Sequence, residues 1–301
     1  MDTTKVYFDT DSISKLAKKD ATGEVHSLIC KQKIEPIVSD LTVQEVLHFQ
    51  DISLRFLIGN YMVNLIKDGP ILAPLPTQVL WSSIDFAEGK DSFQPYRTRK
   101  EAWVKDLLLN RDRFSAEIIK ELDERRQHED KSWDEMHEKG RPVFQEMISQ
   151  ADGERPTIHD WLSLKDSDFI WSLITKNVAP EALLKIRGNE AKFLEWNPVL
   201  CCFVEQLLLA IYRHAIEPPN AASKKGPKFP DYSHGAFAGL VDVFVTDDKR
   251  FSRALIQHVG LFPNWKYFVC THSELMQILG SDQGFENLAV KKNIQYLPSR
   301  N

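Results

Sequence analysis

Cysteine is scarce and irregularly placed in this chain. Cys30, Cys201, Cys202 and Cys270 form no C-x-x-C pair and show no spacing typical of a disulfide framework or a zinc site. They read as reduced, buried thiols. The opening Met1-Asp2-Thr3-Thr4-Lys5 lacks the basic and apolar stretches of a secretory leader, so a reducing cytoplasmic setting is expected. Excess positive charge is missing as well. The 38 basic and 43 acidic residues leave a formal charge of −5, which excludes a global positive field and confines any nucleic-acid binding to a local patch. Long apolar runs are also absent. Residues 199–216 come nearest to a membrane span, yet they carry Glu205, Gln206, Arg213 and His214. A buried helix opened by Pro198 is expected there, and no membrane partner.

What is present is enough apolar material, 43% of 301 residues, to build a sizeable core. Two short β-branched and aromatic runs stop abruptly in acid: Val6-Tyr7-Phe8-Asp9-Thr10-Asp11 and Val243-Phe244-Val245-Thr246-Asp247-Asp248. Such runs read as buried strands, and open α/β sheets bind ligands beyond the carboxyl ends of their strands. Residues 34–38 repeat the pattern, ending in Ser39-Asp40, and a helix over 42–66 should follow, stopped at Gly69-Pro70. Residues 71–75 predict a third strand, with a helix starting near Thr77. A short helix after Asp231 leads into a strand at 241–245; a helix over 249–258, a strand at 267–269 and a helix over 273–279 follow. This alternation predicts an α/β fold with a central parallel sheet. Between about 93 and 195 charged helix formers dominate, with Trp103, Trp133, Trp161 and Trp171 among them. The expected organisation is a core of residues 1–90 and 217–301, interrupted by a mainly α-helical insertion at 91–216.

Each acidic candidate has a structural alternative. Asp9 follows a strand where a carboxylate has no packing role, but it could cap the next helix; if Asp11 takes that task, Asp9 is left for a ligand. Glu45 stands three residues after Thr42, the spacing of a capping box, in which Glu returns to the Thr backbone amide. Asp231 could cap the helix carrying Ala236 and Phe237, with His234 on its face. One of Asp247 and Asp248 should cap the following helix while the other faces the strand-end crevice beside the Thr246 hydroxyl. Phe251 should pack that helix onto the sheet.

Phe8-Asp9-Thr10, Thr42-Val43-Gln44-Glu45, Asp231 and Thr246-Asp247-Asp248-Lys249-Arg250-Phe251 together resemble the PIN-domain nucleases, metal-dependent ribonucleases that include many bacterial toxins. In that family an Asp ends the first strand and a Glu opens a helix after the second. A further Asp precedes a strand closed by Thr-x-Asp-x-x-Phe. The resemblance covers about 5–89 and 231–279. It departs from the pattern at Asp11, where the family has Asn, and in the length of the middle segment. It implies a three-layer α/β/α fold and an acidic cluster on Asp9, Glu45, Asp231 and Asp248, supported by Thr246, Asp11, His234 and Asp247.

Clustered carboxylates repel one another and are relieved by Mg²⁺ or Mn²⁺, which prefer hard oxygen ligands. The expected activity is phosphodiester hydrolysis, of RNA as the resemblance implies. Lys224, Lys225, Lys228, Lys249 and Arg250 flank the acids as candidate phosphate contacts. Two other readings stay open. In a haloacid-dehalogenase-like phosphatase Asp9 would be the nucleophile, Asp11 the acid/base and Asp247-Asp248 the later acidic pair. In a catalytically inert interaction module the helical insertion would hold a protein partner or a second copy of the chain.

Overall fold

The computed structural model describes residues 3–19, 23–31, 33–49, 51–66, 70–97, 171–172, 174–216 and 229–280, with isolated positions between 120 and 160. Chain contacts divide them into two compact units. The first runs to Leu72, includes Arg97 and resumes at Leu240; the second runs from Ala73 to Tyr96 and from the isolated positions beyond 120 to Gly239.

The first unit is built on a five-stranded, all-parallel sheet. Its elements in chain order begin with β1 (Thr4–Phe8), α1 (Thr10–Lys19), α2 (Glu24–Lys31), β2 (Ile34–Ser39), α3 (Asp40–Leu47), α4 (Ile52–Ile66) and β3 (Ile71–Leu72). The second unit contributes α5 (Leu75–Ala87), α6 (Pro180–Ile186), α7 (Glu190–Trp196), α8 (Pro198–Ile216) and α9 (Phe229–Gly235). The first unit then closes with β4 (Val243–Val245), α10 (Lys249–Leu261), β5 (Phe268–Cys270) and α11 (His272–Leu279).

Strand order is β3-β2-β1-β4-β5. The chain therefore steps away from β1 in one direction to make β2 and β3, then returns to its other side for β4 and β5. Register fixes a common edge: Phe8 pairs with Val245 and Val245 with Cys270. Asp9, Thr246 and Thr271 thus leave the sheet at one level.

Side-chain alternation along the strands builds a core on each face. Val6, Phe8, Val38, Val243 and Val245 pack with Ile13 and Leu16 of α1, Val43 and Val46 of α3, and Ile58 and Met62 of α4. On the opposite face Tyr7 stacks on Phe244 at 4.8 Å, and Phe251 of α10 meets Phe244 edge-on at 5.4 Å. Tyr7, Phe8, Phe244 and Phe251 are all fully buried, a contribution of roughly 1.5–3 kcal/mol for each Phe-sized side chain. Helices on both faces of a parallel sheet are what such strands require, since neither face can be left to water.

Several boundaries differ from the sequence expectation. The helix expected over 42–66 is two helices, broken after Leu47, because Asp51 accepts the backbone N–H groups of Ser53 and Leu54 and starts α4 afresh. β3 is only Ile71–Leu72, and α2 was not anticipated.

In the second unit Phe86, Phe93, Trp171, Phe193 and Trp196 form an aromatic cluster. Asn197 caps α8 through Leu200 N–H. Its amide also donates to Ser82 at 2.6 Å. No single helix among the described residues is long and apolar enough to cross a membrane, and α8 is buried along most of its length. Trp103, Trp133 and Trp161 lie outside the described residues.

Candidate functional site

Strand order reverses between β1 and β4, and the crevice beyond the carboxyl ends of two such strands is where open α/β sheets hold ligands. The residues entering that edge are Asp9, Thr10 and Asp11 after β1, and Thr246, Asp247 and Asp248 after β4. The two segments are tied together. Asp9 N–H donates to the Val245 carbonyl at 3.4 Å and the Ser12 hydroxyl to the same carbonyl at 3.1 Å.

Asp9 is 7% exposed and accepts the Ser12 N–H at 2.8 Å, so it caps α1. Of the two alternatives open from sequence, Asp9 and not Asp11 takes the cap. Asp11 instead turns outward to Lys15, one helical turn on, at 2.6 Å. The reason is positional: Asp9 directly precedes the first helical residue, whereas Asp11 is already inside the first turn, with its side chain directed along the helix surface.

Glu45 does not complete a capping box. Ser39 is the N-cap of α3, its hydroxyl accepting Thr42 N–H at 3.4 Å. The Glu45 carboxylate instead accepts a hydrogen bond from the Thr10 hydroxyl, linking α3 to the residue beside Asp9. Beneath them lies Tyr7, whose phenol shares a 2.7 Å hydrogen bond with the Ser39 hydroxyl. Burial pushes the Tyr7 phenol far above its ordinary range. Hydrogen bonds to Ser39 and Thr42 pull the other way, and the negative charges of Glu45 and Asp9 add to the rise. A phenol that feels both carboxylates places Asp9 and Glu45 at one end of β1, over a neutral, fully buried floor.

A second acidic group sits at the same edge. Lys15 Nζ is 2.6 Å from Asp11 and 2.8 Å from Asp247, and the other Asp247 oxygen accepts His272 N–H at 2.9 Å. Burial alone would raise the Asp247 carboxyl, but Lys15 and the His272 amide outweigh it and hold it below its usual value. Lys15 loses some solvation, yet its bonds to Asp11 and Asp247 lift it above the ordinary lysine range. His272 is buried and lowered, first by desolvation and then by Lys19 and Lys15, with Asp247 and Asp11 opposing.

Every fixed position of Thr246-x-Asp248-x-x-Phe251 has a local structural role. Asp248 N–H donates to the Thr246 hydroxyl at 3.2 Å. Asp248 Oδ1 caps α10 by accepting Arg250 N–H at 2.7 Å and Phe251 N–H at 2.9 Å, and Phe251 anchors the helix on Phe244. Asp248 is nonetheless exposed at the strand edge.

Asp231 is in the first turn of α9, in the second unit, next to the buried Tyr232 and near the buried His234. Burial raises the Tyr232 phenol; Arg213 opposes that rise and Asp231 adds to it. Lys224, Lys225 and Lys228 fall outside the described residues. Lys249 and Arg250 are exposed in the first turn of α10. Lys249 also lines a groove of about 600 Å³ along that helix, with Ser252, Arg253 and Gln257.

Asp9, Thr10 and Glu45 supply hard oxygen atoms of the type Mg²⁺ and Mn²⁺ take. Among the described residues no three His, Cys, Asp or Glu side chains gather into a metal-holding group. Lys15, Thr10, Tyr7 and His272 were not singled out from sequence. Only the Asp11/Lys15 spacing of four residues on one helix carried a signal for any of them. Comparison of the chain with family models, with curated proteins and with solved structures returns no match.

Proposed function

We propose that the protein is a metal-dependent PIN-like nuclease that hydrolyses phosphodiester bonds in RNA, with Asp9 and Glu45 as its central carboxylates. The observation that carries this reading is the path of Glu45. Its own helix is capped by Ser39, so the carboxylate is not needed there, and it reaches across to Thr10 beside Asp9 at the topological switch point.

In this reading Asp9 and Glu45 hold one divalent cation, Mg²⁺ or Mn²⁺. Such an ion lowers the pKa of a bound water and neutralises charge on a scissile phosphate. Thr10 orients Glu45, and the Ser12 amide fixes the rotamer of Asp9. The neutral phenol of Tyr7 keeps the floor dry and rigid. Asp248 stands at the rim as a further carboxylate. Lys249, Arg250 and Arg253, near the start of α10, supply positive charge for the substrate backbone, where contacts position the chain without reading its sequence.

The test is Mn²⁺-dependent cleavage of a labelled single-stranded RNA. Asp9→Asn and Glu45→Gln should each lower the rate by at least about 100-fold, the usual cost of removing a preorganised charge-stabilising group. Asp231→Asn belongs in the same series, because the resemblance gives it a ligand role. Full activity in both Asp9→Asn and Glu45→Gln would sink the proposal. Turnover of a small phosphate ester, with an acyl phosphate trapped on Asp9, would replace it with the phosphatase.

A further inference from the structure

We propose that the outer face of α10 is a track for single-stranded RNA beside the strand-end edge, with phosphates over its basic first turns and bases in the apolar groove beyond them. This rests on the nuclease reading above and specifies the form of its substrate.

The groove of about 600 Å³ follows one stripe of α10, from Lys249 through Arg253, Ile256, Gln257 and Gly260 to Leu261. Spacings of three and four residues mark a single helix face. Phe251, Ala254, Leu255 and His258, on the face toward the sheet, are buried. At 1.5 Å per residue the stripe is about 18 Å long. It begins next to Asp248, the N-cap, and so at the edge where β4 ends.

Charge on this helix is placed against its own electrostatic preference. α10 carries Lys249, Arg250 and Arg253 and no acidic residue, in a chain whose formal charge is −5. All three stand near the N-terminus, the end at which the helix dipole favours negative groups. Helix stability does not account for them, whereas a polyanion at the adjoining edge does.

Gly260 points to an occupant as well. Its backbone is helical, not left-handed, and a Cβ there would meet no atom of the described residues within 4 Å. Alanine would hold the helix better, because glycine loses more backbone freedom on folding. What glycine supplies is room. With Ile256 and Leu261 beside it, the far end of the groove is apolar and has no side chain standing in it at 260.

Only a single strand uses both ends of the stripe. A duplex keeps its bases paired inside and offers phosphates alone. A single strand gives phosphates to Lys249 and Arg253 and turns bases toward Ile256 and Leu261. No aromatic residue is among the described residues lining the groove, so the bases pack against aliphatic side chains and little sequence is read.

The experiment is fluorescence anisotropy of a labelled single-stranded RNA of about ten nucleotides, within the usual range of single-strand sites, with the full chain in EDTA so that cleavage plays no part. Wild type should bind it at least about tenfold more tightly than a duplex of equal length. Combining Lys249→Gln with Arg253→Gln should flatten the slope of log affinity against log salt by about 1.4, the share of two phosphates on a single strand. Gly260→Leu should weaken single-strand binding at least about tenfold and leave its salt slope unchanged, with a urea midpoint no lower than wild type. Gln257→Glu, similar in shape but charged, should weaken binding too, and it decides the matter if Gly260→Leu does not fold. Undiminished binding in both variants, equal binding of duplex and single strand, or no binding by wild type overturns the track. Saturation by a mononucleotide, with no gain from a longer strand, overturns it in favour of a small-molecule pocket. None of these outcomes touches the Asp9/Glu45 cleavage series. Conversely, groove-dependent binding beside full cleavage by both Asp9→Asn and Glu45→Gln keeps the track and removes the nuclease reading built on those carboxylates.

Discussion

Asp248 accepts two backbone N–H groups on one carboxylate oxygen, and asparagine caps a helix about as well as aspartate. Asp248→Asn therefore removes the charge and keeps the cap. Its unfolding midpoint in urea should match wild type while Mn²⁺-dependent RNA cleavage falls at least about tenfold. Asp248→Ala should lose both, with about 1 kcal/mol of stability. Full activity in Asp248→Asn would make it a cap and nothing more. At this scale the sequence was informative about which acids end strands and ambiguous about what each one does. Thr42-x-x-Glu45 spells a capping box, and nothing local says that Ser39 will take the cap and release Glu45 toward Thr10. Asp9 and Asp11 are two residues apart, and only the true helix start at Thr10 decides which of them caps.

Helices and strands were legible where composition left one option, as in β1, β4 and α8. They were hidden where a turn signal sat inside an apolar run, as Asp51 does between α3 and α4. The junction of α8 and α9 is tight for a reason that spacing cannot reveal. A Cβ on Gly235 would lie 2.0 Å from Gln206 Oε1, and the Gln206 amide is pinned by its 2.8 Å bond to the Gly235 carbonyl. Gln206 cannot swing away without giving up that bond in a buried setting. Gly235→Ala should destabilise the protein by about 1–3 kcal/mol in thermal or urea unfolding. A midpoint equal to wild type would show that the helices separate freely.

The molecule as a whole should be acid-sensitive through α11. His272 is buried, and its proton affinity is lowered by desolvation and by Lys19 and Lys15. Its folded pKa lies below the unfolded value of about 6.5, so below that pH the unfolded chain binds the proton more readily. The stability linked to His272 is present above about pH 6.5 and is lost as the pH falls through the lower folded value. Urea unfolding of wild type and His272→Gln at a series of pH values should diverge with acidification. Wild type should lose ground by at most about 1.4 kcal/mol per pH unit. Parallel curves from pH 7 to pH 5 would remove His272 from the account. The parallel sheet was legible from strand–helix alternation, whereas the partition into units was not, because residues 73–96 look like a continuation of the same alternation.

β1 lies between β2, which follows it within about thirty residues, and β4, where Val6 meets Val243 across 237 positions of chain. During synthesis at about 5–20 residues per second, that separation corresponds to a wait on the order of 10–50 s. Through that interval one edge of β1, whose Val6, Tyr7 and Phe8 are fully buried in the finished sheet, is exposed with nothing to pair with, and Asp9 has no Val245 carbonyl beside it. The strand-end edge shared by β1 and β4 is therefore among the last parts of the protein to form. A nascent chain arrested before β4 would carry an open strand and an incomplete edge, so the hazard of misassembly comes before the site itself is built.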